Sequence, residues 1–493
     1  MTVRYLNYIG KKWRPSESGF FFENRNPADT RDLIGYFPES TAEDVDAAVR
    51  EAENAYDCWR LTPAPKRGEM ILRAGLLLEK RKEELARLMT REMGKIIKET
   101  RGDVQEAIDM AFYVAGEGRR LFGQTTTSEL KDRHAMSIRN PVGVCGLITP
   151  WNFPTAIPSW KIFPALICGN TMVFKPAEDT PASAVKFVEI LREAGIPSGV
   201  VNLVHGGPAA GEAIVRHPRI RLISFTGSSE VGRKVAEICG RTLKRCSLEM
   251  GGKNAQIVMA DADLDLAIEG ALWGAFGTTG QRCTATSRIF VQKKIYGTFK
   301  NTLIRQAKKI RVGNGIKPAA EMGPLINESQ RDRVHAYVKS GIAEGARLEC
   351  GGAAIQSGGT RNGFFYRPTV FTHVTPGMKI MREEIFGPVT CIMPVTSFEE
   401  AVRLVNDTAY GLSSSIYTRD VNKAMRAIRD IEAGITYING PTIGAEVHLP
   451  FGGVKHTGNG HREAGQAALD IFSEWKSVFV DFSGKLQKAQ IDA

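Results

Sequence analysis

The residues best suited to chemistry surround Cys283, in the segment Gly280-Gln-Arg-Cys-Thr284. A run of small and aromatic residues, 270–277, precedes this segment, and an apolar β-branched run, 289–291, follows it. The pattern predicts a tight turn between a helix and a strand, where a sulfur atom can face a cleft. Most free cysteines are small core residues, and only a minority are nucleophiles. A catalytic role for Cys283 therefore depends on the motifs upstream of it.

An asparagine and a glutamate upstream could assist such a thiol. Asn152 lies in Thr149-Pro-Trp-Asn-Phe-Pro154, where two prolines restrict the backbone, so its amide can donate to an oxygen that gains negative charge. The alternative is a rigid turn in which Asn152 caps a helix. Glu249 lies in the apolar segment Ser247-Leu-Glu-Met-Gly-Gly-Lys253, and a carboxylate in low dielectric suits a general base. The alternative is a core glutamate in a salt bridge.

Two other segments fit the binding of a dinucleotide. Phe174-Lys-Pro-Ala-Glu178 ends an apolar strand, and its Lys and Glu can reach ribose hydroxyls at the carboxyl edge of a parallel sheet. Phe225-Thr-Gly-Ser-Ser-Glu-Val-Gly232 combines a strand end, a glycine turn and a helix start. Its glycine spacing is not G-x-G-x-x-G, but free N–H groups at a helix N-terminus still attract phosphate.

The surrounding pattern predicts the elements that hold these motifs. Between residues 142 and 238 apolar strands alternate with helices, which predicts a parallel sheet covered on both faces, and the alternation repeats from about Gly252. Helices are expected before this region, one of them unbroken over 67–95 with Leu72 facing inward. Residues 125–140 predict a projecting hairpin, and residues 474–482 predict an exposed strand that needs an edge to pair with.

Composition excludes several classes of protein. The 493 residues are 43% hydrophobic and 24% charged, with no apolar run long enough for a membrane span and no signal-peptide pattern. The eight cysteines occur singly, which favours a reducing, cytoplasmic location, and the dispersed histidines predict no catalytic metal. The net charge of +11 is spread out, which predicts no nucleic-acid partner and favours either anionic small molecules or a merely basic surface.

Taken together, the motifs resemble the aldehyde dehydrogenase superfamily over nearly the whole chain. Seven signatures occur in the family's order: 150–154, 175–178, 225–228, 248–253, 280–283, Glu383-Glu-Ile-Phe-Gly-Pro388 and Pro450-Phe-Gly-Gly453. Departures are small, such as Met250 where leucine is usual and His461 inserted before Arg-Glu.

The resemblance implies the catalytic roles. Cys283 is expected to attack the aldehyde, with the oxyanion held by the Asn152 amide and the backbone N–H of Cys283. Hydride transfer to nicotinamide would leave a thioester, and Glu249 would activate the water that hydrolyses it. We expect NAD, because Glu178 accepts from a free 2′-hydroxyl and repels a 2′-phosphate; NADP is possible. The cofactor-binding residues expected from the resemblance are Thr149, Pro150, Trp151, Lys175, Pro176, Ala177, Glu178, Gly207, Gly211, Phe225, Thr226, Gly227, Ser228, Val231, Met250, Glu384 and Phe386.

The substrate expected by resemblance is a carboxylated semialdehyde, such as 2-oxoglutarate or aminoadipate semialdehyde. Substrate contacts are expected from Arg282, Thr284, Gly444 and Ala445. Arg282 could pair with a distal carboxylate, or it could point away and pair with an internal acid. The alternatives are a broad-specificity aldehyde dehydrogenase, a coenzyme A-acylating relative and, less favoured, a thiol hydrolase or a non-enzymatic scaffold.

The expected fold is α/β, with three parts. A Rossmann-like cofactor-binding domain takes residues 1–121 and 142–251, a catalytic α/β domain takes 252–450, and a small β oligomerisation element takes 122–141 and 467–493. That element is expected to pair subunits in a homodimer or homotetramer.

Overall fold

The computed structural model describes residues 3–488 and 490–491. Residues 1, 2, 489, 492 and 493, which belong to the predicted cofactor-binding domain and oligomerisation element, lie outside the described residues. The described chain forms two seven-stranded sheets with helices packed on them, a three-stranded sheet and two small two-stranded sheets. The predicted α/β class is confirmed.

The N-terminal segment forms two hairpins and a layer of helices. Its elements are β1 (Asn7–Ile9), β2 (Lys12–Arg14), β3 (Phe21–Arg25), β4 (Leu33–Pro38), α1 (Ala42–Leu61), α2 (Ala64–Lys80), α3 (Lys82–Met93) and α4 (Ile97–Glu117). The prediction of one helix over 67–95 is wrong, because α2 and α3 separate at Arg81, which has a non-helical backbone and pairs with Glu193. Leu72 is 43% exposed rather than inward, since Ile71, Ala74 and Leu78 form the buried face of α2.

The first large sheet follows the predicted alternation. Its elements are β7 (Val144–Ile148), α5 (Ala156–Cys168), β8 (Thr171–Lys175), α6 (Pro181–Glu193), β9 (Val201–Leu203), α7 (Pro208–Arg216), β10 (Leu222–Thr226), α8 (Ser229–Arg241) and β11 (Arg245–Glu249), after the hairpin β5 (Thr125–Thr127) and β6 (Arg133–Pro141). The strand order is β11-β10-β7-β8-β9-β1-β2, with β11 to β9 parallel. The carboxyl ends of the parallel strands therefore meet at one edge of the sheet.

The second large sheet is built from the rest of the chain. Its strands and neighbouring elements are β12 (Asn254–Val258), α9 (Leu264–Phe276), a 3₁₀ turn (Gly277–Gly280), β13 (Thr286–Gln292), α10 (Lys293–Ala307), α11 (Glu328–Ala343), β14 (Arg347–Cys350), a 3₁₀ turn (Gly358–Thr360), β15 (Thr369–Thr372), α12 (Lys379–Arg382), β16 (Val389–Val395), α13 (Phe398–Asn406), β17 (Tyr410–Gly411), β18 (Ser413–Tyr417), α14 (Val421–Asp430), β19 (Ile435–Ile438), β20 (Val454–Lys455), α15 (Ala467–Ile471) and β21 (Ser473–Asp481). The order β14-β15-β16-β13-β12-β18-β19 places β12 and β13 at the centre.

The predicted hairpin and tail form the three-stranded sheet. β21 pairs antiparallel with β6 from Ser473 to Asp481, and β5 pairs with the other edge of β6. The tail therefore finds its edge within its own chain, while Trp475 and Phe479 remain more than half exposed. α15, which the predicted oligomerisation element includes, packs against α5 in the core of the first sheet.

The division into domains stays a prediction. Among the described residues, no helix is long and apolar enough to cross a membrane.

Candidate active site

Cys283 lies on a short connection between the 3₁₀ turn and β13, as the sequence predicts. Thr278 and Thr279 have positive φ values of 52° and 58°, and Gly280 follows at 67°. A side chain at Gly280 would overlap the carbonyl of Gly387, so the turn requires glycine there. The carbonyl of Cys283 accepts from Asn254 Nδ2 at 2.7 Å. These contacts fix the thiol in a cavity that Asn152, Glu384 and other residues also line.

Asn152 is held in the loop after β7. It is 3% exposed, and its Nδ2 donates to the carbonyl of Gln281 at 3.1 Å. Gln281 is itself anchored, because its Oε1 accepts from the backbone N–H of Ile326 at 2.9 Å. An amide nitrogen carries two donors, so one N–H of Asn152 remains for a ligand in the cavity. Asn152 binds the chain segment that carries Cys283, which favours the donor role over a helix cap.

Glu249 is the last residue of β11 and is buried, with 3% exposure. Neither carboxylate oxygen has a hydrogen-bond partner among the described residues. Burial raises the pKa of Glu249 well above its usual range, and the negative charge of Glu463 raises it further. In this conformation the carboxylate lies beside Gly452, where an added Cβ would be 2.7 Å from Oε1. No hydrogen bond among the described residues holds the carboxylate in this conformation.

The thiol and two carboxylates influence each other. Burial raises the pKa of Cys283, and the negative charges of Glu384 and Glu249 raise it further. Burial also raises the pKa of Glu384 to about 7, although its Oε1 accepts from the backbone N–H of Gly252 at 3.0 Å. A thiolate therefore forms more readily when these carboxyl groups are protonated.

Most of the nicotinamide-side residues predicted from the sequence line the same cavity. Pro150, Trp151, Thr226, Gly227, Ser228, Met250 and Phe386, all predicted from the sequence, line it together with Cys283. The Phe386 ring meets Trp151 edge-on, with centroids 5.3 Å apart. The Thr226 hydroxyl is buried with no partner in the part of the chain that the structure describes, so it is available to a ligand.

A second cavity continues at the carboxyl edge of the first sheet. Lys175, Glu178, Gly207, Gly211, Phe225 and Val231 line it, as the sequence predicts. Lys175 Nζ donates to the carbonyl of Pro176 at 2.8 Å and lies 3.8 Å from the half-exposed carboxylate of Glu178. Ser228 caps α8, its Oγ accepting from the N–H of Val231 at 3.3 Å. Thr149, Pro176 and Ala177 line neither of these cavities.

The paired cavities fit a dinucleotide, and comparison with known proteins gives the family. Residues 13–478 match the aldehyde dehydrogenase family. The chain belongs to this family. It is 43% identical to an alpha-ketoglutaric semialdehyde dehydrogenase of Bacillus subtilis, over 97% of this chain and 98% of the relative. It is 42% identical to human retinaldehyde dehydrogenase 3, over 97% and 93% respectively.

Solved structures agree with this assignment. A betaine aldehyde dehydrogenase of Staphylococcus aureus, solved in complex with NAD⁺, superposes with a TM-score of 0.95 at 34% identity, over 98% of this chain and 96% of that one. The protein is an NAD(P)-dependent aldehyde dehydrogenase.

Within the described residues, no group of three or more acidic, histidine or cysteine side chains could hold a metal ion.

In this aldehyde dehydrogenase, Arg282 is engaged away from the cavity around Cys283. Its Nε donates to Thr278 Oγ1 at 2.8 Å, and its Nη2 lies 3.6 Å from Glu99 Oε1. The guanidinium also lies over the rings of Phe153 and Trp273. The structure thus supports pairing with an internal acid, and the prediction that Arg282 binds a substrate carboxylate has no support from its contacts.

The other predicted substrate residues are also away from the described lining of that cavity. Thr284 is 9% exposed, and its carbonyl accepts from Thr442 Oγ1 at 2.7 Å. Gly444 is exposed with φ 117°, and Ala445 packs against the core of the first sheet.

Sequence reasoning missed a buried ion pair beside Glu249. Lys161 Nζ pairs with Glu463 Oε1 and donates to Ser224 Oγ at 2.9 Å, and the two ionic side chains are 0% and 4% exposed. The negative charge of Glu463 adds to the rise in the pKa of Glu249, and the positive charge of Lys161 opposes it. A signal existed: Lys161 is the one charged residue in the apolar helix Ala156–Cys168, and a buried lysine needs an acidic partner.

Gln330 and Arg333 on α11 were also missed. Both line the same cavity as Cys283, and Gln330 Nε2 donates to the carbonyl of Phe386 at 2.7 Å. No motif in the sequence marks this helix, because its contribution arises only when it packs beside residues 384–386.

Proposed function

We propose that this aldehyde dehydrogenase oxidises a carboxylated semialdehyde to the corresponding acid with NAD⁺ and water. The observation that carries the proposal is that Cys283, the Asn152 amide and Glu384 line one cavity, and that Glu249, a buried carboxylate without hydrogen bonds, directly precedes its lining residues Met250 and Gly251. The position of each group suits one step of the reaction.

Acylation begins when Cys283 gives up its proton. Because the pKa values of Glu249 and Glu384 are raised, these carboxylates accept a proton more readily than ordinary glutamates do. The sulfur then bonds to the aldehyde carbon, and the carbonyl oxygen takes the negative charge. The free N–H of Asn152 stabilises that oxyanion, with the backbone N–H of Cys283 as its second donor.

When bound, an oxidised nicotinamide would accept the hydride that leaves the thiohemiacetal carbon. Trp151, Glu384 and Phe386 would hold the nicotinamide half, and Lys175 and Glu178 the adenosine half. The C=O bond of a thioester then forms on Cys283. Glu249 removes a proton from water as the water attacks, the carbon–sulfur bond breaks, and the acid leaves.

The choice of NAD⁺ over NADP⁺ depends on Glu178. Its carboxylate is about half exposed and lies 3.8 Å from Lys175, so it can accept from a ribose 2′-hydroxyl and would repel a 2′-phosphate. We expect a higher kcat/KM with NAD⁺, and the Glu178→Ser variant should narrow the difference. Equal values for the two cofactors in the wild-type enzyme would contradict this assignment.

The final acyl acceptor distinguishes this proposal from its rivals. Aldehyde-dependent reduction of NAD⁺ that needs no coenzyme A supports water as the acceptor, whereas dependence on coenzyme A would indicate an acylating enzyme. Hydrolysis of esters without any aldehyde oxidation would indicate a thiol hydrolase. A non-enzymatic scaffold would neither oxidise aldehydes nor hydrolyse esters.

The nature of the aldehyde is the less constrained part of the proposal. The relative named for alpha-ketoglutaric semialdehyde is 43% identical, but the one named for retinaldehyde is 42% identical. The second candidate is an aldehyde without a carboxylate, which would not need the Arg282 side chain that Glu99 engages. The discriminating assay compares kcat/KM for 2-oxoglutarate semialdehyde and for hexanal, an uncharged aldehyde. A preference for hexanal would replace the first candidate by the second.

Arg282→Ala tests the role of that arginine separately. Because Glu99 and Thr278 already hold the guanidinium, we expect similar losses of kcat/KM with both aldehydes. The exposed Arg403 on α13 provides the control, Arg403→Ala, for the loss of one positive charge. A selective loss with the semialdehyde would restore the carboxylate-binding role.

Assembly, domain organisation and location are proposed on separate grounds. The exposed aromatic residues of β21 favour a homodimer or homotetramer built through the three-stranded sheet, which sedimentation of wild-type and Trp475→Asp protein would test. The two large sheets support a cofactor-binding and a catalytic domain. All eight cysteines are free thiols, which supports a reducing, cytoplasmic location.

A further inference from the structure

The segment that leads to Cys283, residues 277–283, is held by a buried acid on another element. Glu99 lies in the first turn of α4, and only 3% of its side chain is exposed. Its Oε1 accepts from the backbone N–H of Thr278 at 2.6 Å and lies 3.6 Å from Arg282 Nη2. One carboxylate therefore contacts both the beginning of this segment and the residue directly before the nucleophile.

Thr278 needs such a contact because its backbone conformation is unfavourable. Thr278 and Thr279 have φ values of 52° and 58°, in the left-handed region that β-branched residues rarely adopt. Residues in this region persist only where their surroundings hold them there. Thr278 is also buried, so its N–H needs an acceptor within the protein, and an ionised carboxylate is a stronger acceptor than a neutral group.

Hydrogen bonds continue from Thr278 to the donor for the oxyanion. The carbonyl of Thr278 accepts from the backbone N–H of Gln281 at 3.0 Å, and the carbonyl of Gln281 accepts from Asn152 Nδ2 at 3.1 Å. Thr278 Oγ1 also accepts from Arg282 Nε at 2.8 Å. A displacement of Thr278 would therefore change the position of Cys283 relative to the Asn152 amide.

We propose that Glu99 is a positioning residue, which sets the geometry between the Cys283 thiol and the Asn152 amide through its hydrogen bond to Thr278. The inference rests on the proposed function, in which these two groups carry out acylation. Glu99 lines neither the cavity around Cys283 nor the second cavity at the carboxyl edge of the first sheet. It therefore acts on the rate of acylation and leaves the binding of the cofactor unchanged.

The test measures the pre-steady-state burst of 4-nitrophenyl acetate hydrolysis by the full-length enzyme. The burst amplitude counts reactive thiols, and the burst rate constant measures acylation at each of them, so loss of folded protein is separated from loss of geometry. In Glu99→Ala protein we expect the rate constant to fall by about 10²-fold, the effect of misplacing a reacting group by roughly 1 Å. The dissociation constant for NAD⁺ should stay at the wild-type value.

Two conservative variants separate the hydrogen bond from the charge. Glu99→Gln keeps an oxygen that accepts from the N–H of Thr278, so its rate constant should be at least about tenfold above that of Glu99→Ala, the value of one hydrogen bond. Glu99→Asp keeps the charge but withdraws the acceptor by one methylene group, so its rate constant should lie below that of Glu99→Gln. This comparison also serves where Glu99→Ala is too unstable to measure.

Glu92→Ala is the matched control for loss of a buried glutamate. Glu92 on α3 accepts from the backbone N–H groups of Ala182 and Ser183 at 2.6 and 2.9 Å, away from residues 277–283. This variant should lower the urea midpoint and leave the burst rate constant unchanged. A wild-type rate constant in Glu99→Ala, or a faster Glu99→Asp than Glu99→Gln, would overturn the proposal. Absence of a burst in the wild-type enzyme would instead contradict the role of Cys283 in the proposed function.

Discussion

The ion pair beside Glu249 makes a prediction about pH with a definite sign. In the proposed mechanism Glu249 acts as a base only when deprotonated, so the rate of hydrolysis of the acyl-enzyme should rise as the pH passes the pKa of Glu249. Burial raises that pKa most, Glu463 adds to the rise, and Lys161 opposes it. Lys161→Met should therefore move the acidic limb of the pH–rate profile for acyl-enzyme hydrolysis to higher pH, and Glu463→Gln should move this limb to lower pH.

The magnitude follows from the burial of the pair, whose side chains are 0% and 4% exposed. A charge near a buried carboxyl group shifts its pKa by about 1 to 3 units. Taking the lower value, the limbs of the two variants should lie ~2 units apart, which is a ~100-fold difference in rate at a pH on the acidic limb. Each variant also leaves a buried charge unpaired, at a cost of about 3–5 kcal/mol in the free energy of unfolding.

An activated ester isolates this step, because 4-nitrophenyl acetate acylates a thiol directly and its steady-state hydrolysis reports deacylation without cofactor. Lys95→Met and Asp103→Asn are matched controls, since this pair is equally buried, joined at 2.6 Å, and absent from the charges acting on Glu249. They should lose comparable stability without moving the limb. Limbs that coincide in Lys161→Met and Glu463→Gln, or that move in the same direction, would refute the reasoning.

Three further variants test other parts of the site. Asn152→Ala should lower kcat by about 10²–10³, since one oxyanion donor is worth roughly 3–4 kcal/mol, while alkylation of the catalytic thiol by iodoacetamide stays unchanged. Gly251→Ala places a methyl group on the Glu384 carboxylate, so the KM for NAD⁺ should rise at least about tenfold with ester hydrolysis preserved. Arg288→Met removes the donor to the carbonyls of Lys253, Leu404 and Val405, and urea unfolding should show a loss of about 3 kcal/mol or more.

Each variant has an outcome that contradicts its premise. An unchanged kcat in Asn152→Ala would mean that the Asn152 amide does not stabilise the oxyanion. An unchanged KM for NAD⁺ in Gly251→Ala would mean that Glu384 does not contribute to the cofactor site. A wild-type urea midpoint in Arg288→Met would mean that water replaces the guanidinium. The exposed Arg403 supplies the control Arg403→Met for general loss of an arginine.

Much of the site could be predicted because parallel strands bring their carboxyl ends to one edge. Lys175 ends β8, and Asn152 and Ser228 follow β7 and β10, so topology places all three at the same edge of the first sheet. The pattern of the tail predicted a strand that needs an edge to pair with, but not which edge. β6 takes that role because its hairpin leaves one edge free for β21.

Side-chain orientations and helix breaks depend on tertiary packing, which the sequence pattern alone does not show. Arg282 adjoins the nucleophile in sequence, but its guanidinium turns toward Glu99 on α4 because a half-buried charge is stabilised by an acid and by aromatic faces. Helices α2 and α3 have continuous amphipathic patterns, yet Arg81 breaks them where its side chain reaches α6. Thr149 and Pro176 belong to the matched motifs, but they line neither cavity.

The charges around Cys283 explain why acylation and deacylation should respond differently to the buried ion pair. Thiolate formation can move one proton from Cys283 to Glu384, and neither Lys161 nor Glu463 is among the charges that act on these two groups, so the ion pair has little influence on this transfer. Deacylation instead requires Glu249 to begin deprotonated, and the energy of that buried charge depends directly on the neighbouring pair. The burst of acylation by the ester should therefore vary much less with pH between Lys161→Met and Glu463→Gln than the steady state does. If the burst and the steady state shifted equally, Glu249 would have to act with the same protonation in both steps, and the assignment of separate proton requirements would fail.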